Sequence, residues 1–188
     1  MEKIPVTMIR ETLEGIPSFP LPPPYRARWY EPGDKEAWLR IHVEADLYND
    51  IAPDLFDREF GRDESLLSER MCFLLDEEGL PFATASAWFD SDYHGGAWGR
   101  VHWVAVLPHL QGRGLSKPLL SLVCERMVEL GHARAYLTTA TVRVPAIRLY
   151  LRFGFVPDIR NPGDLARWRT LLGKIPAHEL RLPREEDL

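Results

Sequence analysis

The order of secondary-structure signals along the chain predicts a mixed α/β fold, with a mostly antiparallel central sheet flanked by helices. Three observations carry this. β-rich runs at 70–75, 82–89 and 100–107 follow one another closely, the first two joined by the turn Asp76-Glu77-Glu78-Gly79, and read as an antiparallel meander. A loop with two closely spaced glycines then leads into one long amphipathic segment, 115–130. A strand–helix–strand pattern over 133–139, 146–153 and 155–156 follows it.

Taken in order, residues 1–25 read as a proline-rich arm. Phe19-Pro20-Leu21-Pro22-Pro23-Pro24 has few backbone donors and favours an extended polyproline conformation. A proline-recognition ligand is the alternative use of such a run. Arg26 to Tyr30 reads as a strand, broken by Pro32-Gly33, with Asp34 as the N-cap of a helix. Ala37, Trp38, Ile41, Ala45 and Leu47 then recur near helical spacing, and short helices are expected over 54–60 and 64–69. After the hairpin strands, residues 90–99 read as a loop, because they hold three glycines. Within 115–130, Leu119, Leu122, Val123, Met127 and Leu130 fall on one helical face, and Gly131 supplies the stop. Pro145 opens and Gly154 closes the next helix, and a last helix is expected over 163–172.

Composition bounds the function. The 188 residues suit one domain, divided here as the arm 1–25, a main domain 26–157, and a C-terminal helix and tail 158–188 packed on it. Against 23 Lys and Arg stand 28 Asp and Glu, so the chain is acidic and nucleic acid is disfavoured as the main partner. No apolar run reaches a membrane-spanning length and Met1-Glu2-Lys3-Ile4-Pro5 lacks a signal-peptide core, so a cytoplasmic location without a membrane partner is expected. Cys72 and Cys124 sit in apolar stretches and read as reduced core residues. The six histidines show no ligand-type pairing, and no metal is expected.

The stretch with chemical content is Val104-Ala105-Val106-Leu107-Pro108-His109-Leu110-Gln111-Gly112-Arg113-Gly114-Leu115-Ser116. A strand ends, a short glycine loop follows, and a long helix begins. That order gathers backbone N–H groups and the positive end of a helix dipole at one place, which suits a pyrophosphate. A tight turn that needs glycine for conformation alone is the other reading. Neither a Walker A loop nor a dinucleotide fingerprint fits, because Lys117 and Pro118 stand where those motifs need other residues.

Gln111-Gly112-Arg113-Gly114-Leu115-Ser116 resembles motif A of the GCN5-related N-acetyltransferases (GNAT). Ala146-Ile147-Arg148-Leu149-Tyr150-Leu151-Arg152-Phe153-Gly154-Phe155 resembles their motif B, at the right distance. The resemblance covers about residues 26–157. It implies a GNAT-like sheet splayed between the strands at 100–107 and 133–139, with acetyl-CoA as co-substrate. It places the pyrophosphate on Gln111, Gly112, Arg113, Gly114, Leu115 and Ser116, and the pantetheine along the main chain of Val104 and Val106. Arg143 stands where the family often has Asn, and is a further candidate for a CoA phosphate.

The reaction implied is transfer of an acetyl group to a primary amine of a small molecule or peptide. The amine must lose a proton, and the leaving thiolate must gain one. Tyr150, at the family's general-acid position, is the candidate donor; a packed helix tyrosine is the alternative. His102 is the candidate base, with a structural strand histidine as the alternative and His94 and Asp90 behind it. Strand alternation puts His102 on the face of Val104 and Val106, opposite Trp103 and Ala105. The resemblance builds the acceptor pocket from the first helices and the 90–99 loop. Glu44, Asp46, Tyr48, Asp50, Asp90, Asp92, Tyr93 and Trp98 there suit a cation, or simply form solvated faces and core. The competing function is a catalytically silent acyl-CoA-binding sensor or scaffold. A longer acyl chain or a hydroxyl acceptor is a further variant, and a homodimer is the assembly the family suggests.

Overall fold

A computed structural model describes residues 2–187. The elements in chain order are β1 (Pro5–Arg10), β2 (Arg26–Trp29), α1 (Asp34–Ala45), α2 (Leu55–Phe60), α3 (Glu64–Arg70), β3 (Met71–Leu75), β4 (Pro81–Tyr93), β5 (Gly96–Val106), α4 (Ser116–Glu129), β6 (Ala135–Ala140), α5 (Val144–Arg152), β7 (Val156–Pro157) and α6 (Pro162–Arg169). The fold class is the expected one: mixed α/β, with antiparallel strand pairing and flanking helices. The chain forms two compact units, Pro17–His132 and Met1–Ile16 with Ala133–Leu188. The two strands expected to splay, β5 and β6, belong to different units.

In the larger unit β2, β3, β4 and β5 pair antiparallel in sequence order. One face of β4 carries Ala83, Ala85 and Ala87, all fully buried, and α4 packs closely on this strand. Small side chains let the helix approach the sheet. The helix contributes Leu119, Leu120, Val123, Cys124 and Met127 to the core; Leu122, expected in that stripe, is only half-buried. Both cysteines are buried thiols outside any disulfide, and burial pushes the Cys72 thiol up to about 12. Gly131, at φ 83°, ends α4 with His132 N–H donating to the Met127 carbonyl, a Schellman-type closure.

Asp34 does not cap α1. Its carboxylate instead accepts two bonds from the Arg28 guanidinium, at 2.5 and 2.8 Å, and the Glu31 N–H at 2.8 Å, tying β2 to the helix start. Gly33 takes the cap position in the left-handed region. Residues 90–99 are not a loop. β4 and β5 continue as one long hairpin whose ladder runs through Phe89–Gly99 and Asp90–Trp98 to Tyr93–Gly96. His94 and Gly95 both have positive φ, which is the primed turn that matches strand twist.

The arm divides between the units. Pro17 to Tyr25 lies along α4: the Phe19 N–H donates to Ser121 Oγ at 2.9 Å and Ser18 Oγ to Glu125 at 2.7 Å. Residues 5–10 form a strand that the sequence reading did not find. In the smaller unit β1 pairs antiparallel with β6 over six residues on one side and with β7 on the other. Val6, Met8 and Ile9 are buried there, in a unit whose core also holds Leu137, Phe153, Phe155, Leu165 and Trp168. An arm laid on the surface would tolerate truncation, whereas a central strand does not. Met8→Ala should therefore cost about 2–5 kcal/mol. At roughly 2–4 °C per kcal/mol for a chain of this size, thermal unfolding should move down by several degrees.

Candidate active site

The sequence from β5 into α4 folds as its residues require. Pro108 ends the strand, and Leu107 to Gln111 make one tight 3-10 turn. Gln111 Nε2 donates to the Val106 carbonyl at 2.8 Å, so this side chain fastens the loop to the strand end. Gly112 and Gly114 have φ of 76° and 80°, which disfavours any side chain. A Cβ on either glycine would meet nothing within 4 Å, so the space above the loop is open. Among the described residues, the amides of Gly112, Arg113, Gly114, Leu115 and Ser116 donate to no protein group. Five free N–H groups at the start of a fourteen-residue helix, open to solvent, fit a phosphate-bearing ligand. Arg113 is exposed, with Nη1 3.5 Å from the Tyr25 hydroxyl, and the Lys117 ammonium lies over the Phe19 ring.

Next to this loop in sequence, β5 departs from regular alternation. Ser86 pairs with His102 and Thr84 with Ala105, so Trp103 and Val104 together face the single Ala85. This is a β-bulge, with Trp103 at φ 49°, a conformation that bulky side chains rarely adopt. The expected faces are thereby corrected. His102 shares its face with Ala105, Thr84 and Ser86, while Val106 lies on the other face with Val101. The extra residue shifts everything after it by one. Val104 is half-buried at the bulge, and the Val106 carbonyl is the one held by Gln111.

His102 is buried, and its Nε2 lies 2.9 Å from Glu59 Oε2 on α2. The same oxygen accepts the Trp103 indole N–H at 2.9 Å. Rings close around them: Phe60 to His102 at 5.4 Å, Trp38 to Trp103 at 5.3 Å and Phe60 to Trp88 at 5.2 Å between centroids. The imidazole beside it, and then the indole donor, hold the Glu59 carboxyl at about 2. Burial drives His102 down. The two directions oppose one another, since a carboxylate lowered by an imidazolium requires a charged histidine. Burial is the larger influence on His102, so the resting pair is a neutral imidazole beside an ionised Glu59. The ring N–H is not aligned on the carboxylate, and Nε2 makes no well-formed hydrogen bond. Thr84 Oγ1 and Ser86 Oγ, on the same face, are fully buried and also make none. Sequence reasoning missed Glu59; it sits in the ordinary charge pattern Asp57-Arg58-Glu59, and only the fold brings it to β5.

The remaining candidates are placed as follows. Tyr150 is buried on α5 in the smaller unit, its ring edge-on to Phe155 at 6.3 Å. Arg143 is the residue before α5 and half-buried. Asp46 accepts the Tyr48 and Asn49 N–H groups and so shapes the turn after α1, while Asp90 accepts from Asp92. Glu44, Tyr48, Asp50 and Asp92 are exposed, and Trp98 is buried with Tyr93 edge-on to it. His94 is exposed at the hairpin turn.

Glu59 also sets an acid sensitivity. Beside a neutral imidazole the indole N–H still holds its folded value below the ordinary 4.5, so its contribution is complete above about pH 4.5 and lost as pH falls through that lowered value. Urea unfolding should show Glu59→Gln less stable than the parent by about 1–2 kcal/mol at pH 6, allowing for partial exposure. The two curves should converge between pH 4.5 and 2.

Comparison with known proteins fits this geometry. The chain is 28% identical over 163 residues to the mycothiol acetyltransferase of Actinosynnema mirum, covering 79% of this chain and 50% of that protein. The chain thus spans about half the length of that relative, and 19% of a second mycothiol acetyltransferase, from Corynebacterium aurimucosum. In fold it resembles a GCN5-related N-acetyltransferase from Sphaerobacter thermophilus, with TM-score 0.65 and 21% identity over 83% of this chain and 49% of that one. It also resembles the ribosomal-protein-S18-alanine N-acetyltransferase of Escherichia coli, with TM-score 0.59 and 22% identity over 73% and 81%. A third likeness is to a NatC complex bound to Gag peptide and CoA, with TM-score 0.61 and 17% identity over 73% and 87%. The family model described as acetyltransferase (GNAT) matches residues 27–155, from β2 to the end of motif B, and the chain belongs to that family.

Proposed function

We propose that the protein is an N-acetyltransferase that moves the acetyl group of acetyl-CoA to a primary amine by direct attack on the thioester. The observation that carries this reading is the loop 112–116, with five unpaired amides, open space above both glycines, and a long helix behind. The pyrophosphate would take those amides, with Arg113 adding charge and Gln111 holding the loop in shape. The pantetheine would run along β5 toward the bulge at Trp103 and Val104, and Arg143 is a further candidate for a CoA phosphate. His102 is the proposed proton acceptor and Tyr150 the proposed proton donor to the departing sulfur; its phenol is protonated at neutral pH. The acceptor is a small molecule or a peptide. The sequence likeness to mycothiol acetyltransferases favours a small molecule. A cytoplasmic location and a homodimer belong to the same reading; no described helix is long and apolar enough to cross a membrane.

The test is thermal unfolding with and without acetyl-CoA. Saturation at about 100 times the dissociation constant adds roughly 2.7 kcal/mol, which for this length is a rise of about 5–11 °C. CoA should give a rise, and ATP and NAD none. Gly114→Trp should fold, at about 1–2 kcal/mol of left-handed strain, and lose the acetyl-CoA response. A retained response would discredit the loop as the phosphate site. Tyr150→Phe should keep the response and lower turnover; unchanged turnover would remove Tyr150 from the mechanism. A silent sensor would give the thermal response with no thiol release toward any amine.

A further inference from the structure

We propose that Glu59 and His102 act as one proton-accepting pair for the incoming amine, with His102 taking the proton and the ionised Glu59 positioning the imidazole and stabilising its charged form. The inference rests on the acetyltransferase reading and adds a residue to it.

Three observations carry it. Glu59 Oε2 stands 2.9 Å from both His102 Nε2 and Trp103 Nε1, so one carboxylate oxygen serves two consecutive strand residues. Trp103 occupies a backbone conformation that bulky residues rarely adopt, and its indole contact with Glu59 helps to hold it there. The third is the gradient of exposure. His102 is 6% exposed and the Glu59 side chain 31%, while Thr84 Oγ1 and Ser86 Oγ, on the same face of the sheet as His102, are buried without a hydrogen-bond partner. Buried polar atoms without partners are costly, and anchoring a bulge alone gives no reason for these two hydroxyls to stand on the face of the imidazole.

The proton count is simple. A primary ammonium gives one proton to the pair and becomes nucleophilic. Its nitrogen bonds to the thioester carbonyl carbon, the C–S bond breaks, and the second nitrogen proton ends on the departing sulfur. The imidazolium returns its proton to water at the partly exposed Glu59 end of the pair, and Glu59 stays ionised throughout. The products are amide, CoA thiol and one proton, and nothing is oxidised or reduced. The charged and titratable groups facing His102 are Glu59 from α2, Arg100 on its own strand, and His42 of α1 across the Trp103 ring. Arg100 opposes protonation of the imidazole and Glu59 favours it.

Glu59→Gln separates anchoring from proton transfer, because the amide oxygen still accepts the indole N–H and the charge is gone. The His102 imidazole is followed by NMR across pH 4.5–8.5 in the full chain and in the variant, with His102→Gln giving the assignment. The expected result is that His102 titrates at a pH lower by about one or more in Glu59→Gln. Thiol release from acetyl-CoA, with tyramine and an alanine-terminated peptide as acceptors, should fall at least about tenfold in kcat/KM with an altered pH profile. Glu59→Asp should restore part of it. An unchanged His102 titration overturns the pair, whatever the activity. A shifted titration with unchanged kcat/KM and pH profile reduces Glu59 to an anchor and also overturns it. Failure of the family reading shows separately, as a parent protein that acetyl-CoA does not stabilise.

Discussion

The bulge at Trp103 is the constraint on which the larger unit depends. One extra residue in β5 lets Trp103 and Val104 oppose a single Ala85, and every side chain before the bulge changes face relative to those after it. His102 thereby turns toward α2, and Val106 lies with Val101 beside the alanine face of β4. Without the bulge, strict alternation would send an imidazole and an aliphatic chain to the same side. The conformation is unfavourable for tryptophan, so it must be held from outside. Trp38 and His42 against the ring, and Glu59 on the indole N–H, do that.

Local chemistry was legible in the sequence, and long-range assembly was not. The β5–α4 turn could be read because all its determinants lie within nine residues: a proline to end the strand, two glycines at positive φ, and a helix start. The helices with regular apolar spacing appear within a few residues of their expected bounds. The hairpin 90–99 was hidden because glycines and acids there look like a loop, although His94-Gly95 is itself a turn signal of the primed kind. β1 was hidden because six residues opening on proline carry little periodicity, and its partners lie some 130 and 150 residues away.

Glu59 shows the same limit at the candidate site. Nothing distinguishes it in sequence from Asp57 or Glu64, which serve an ion pair with Lys35 and a helix start. Its meaning depends on α2 crossing β5 at the bulge. Conversely, Asp34 looked like a cap and is an ion-pair partner, because Arg28 arrives from β2 to claim it. A short acidic side chain reads as a cap until the fold supplies a better donor.

The geometry of the loop reconciles the acidic balance of the chain with the polyanionic co-substrate proposed for it. An anion site built from side chains would need several lysines or arginines. The loop instead presents five backbone amides and a helix terminus, which would attract phosphate through local dipoles and leave the net charge at -5. Arg113 lies in the loop and Lys117 just after it, and the Lys117 ammonium already rests on Phe19. Dipolar attraction of this kind acts at contact distance and is screened by salt less than the field of a basic patch. Affinity for a pyrophosphate at such a loop therefore depends on backbone shape, which the two glycines and Gln111 fix, more than on the charge of the surface around it.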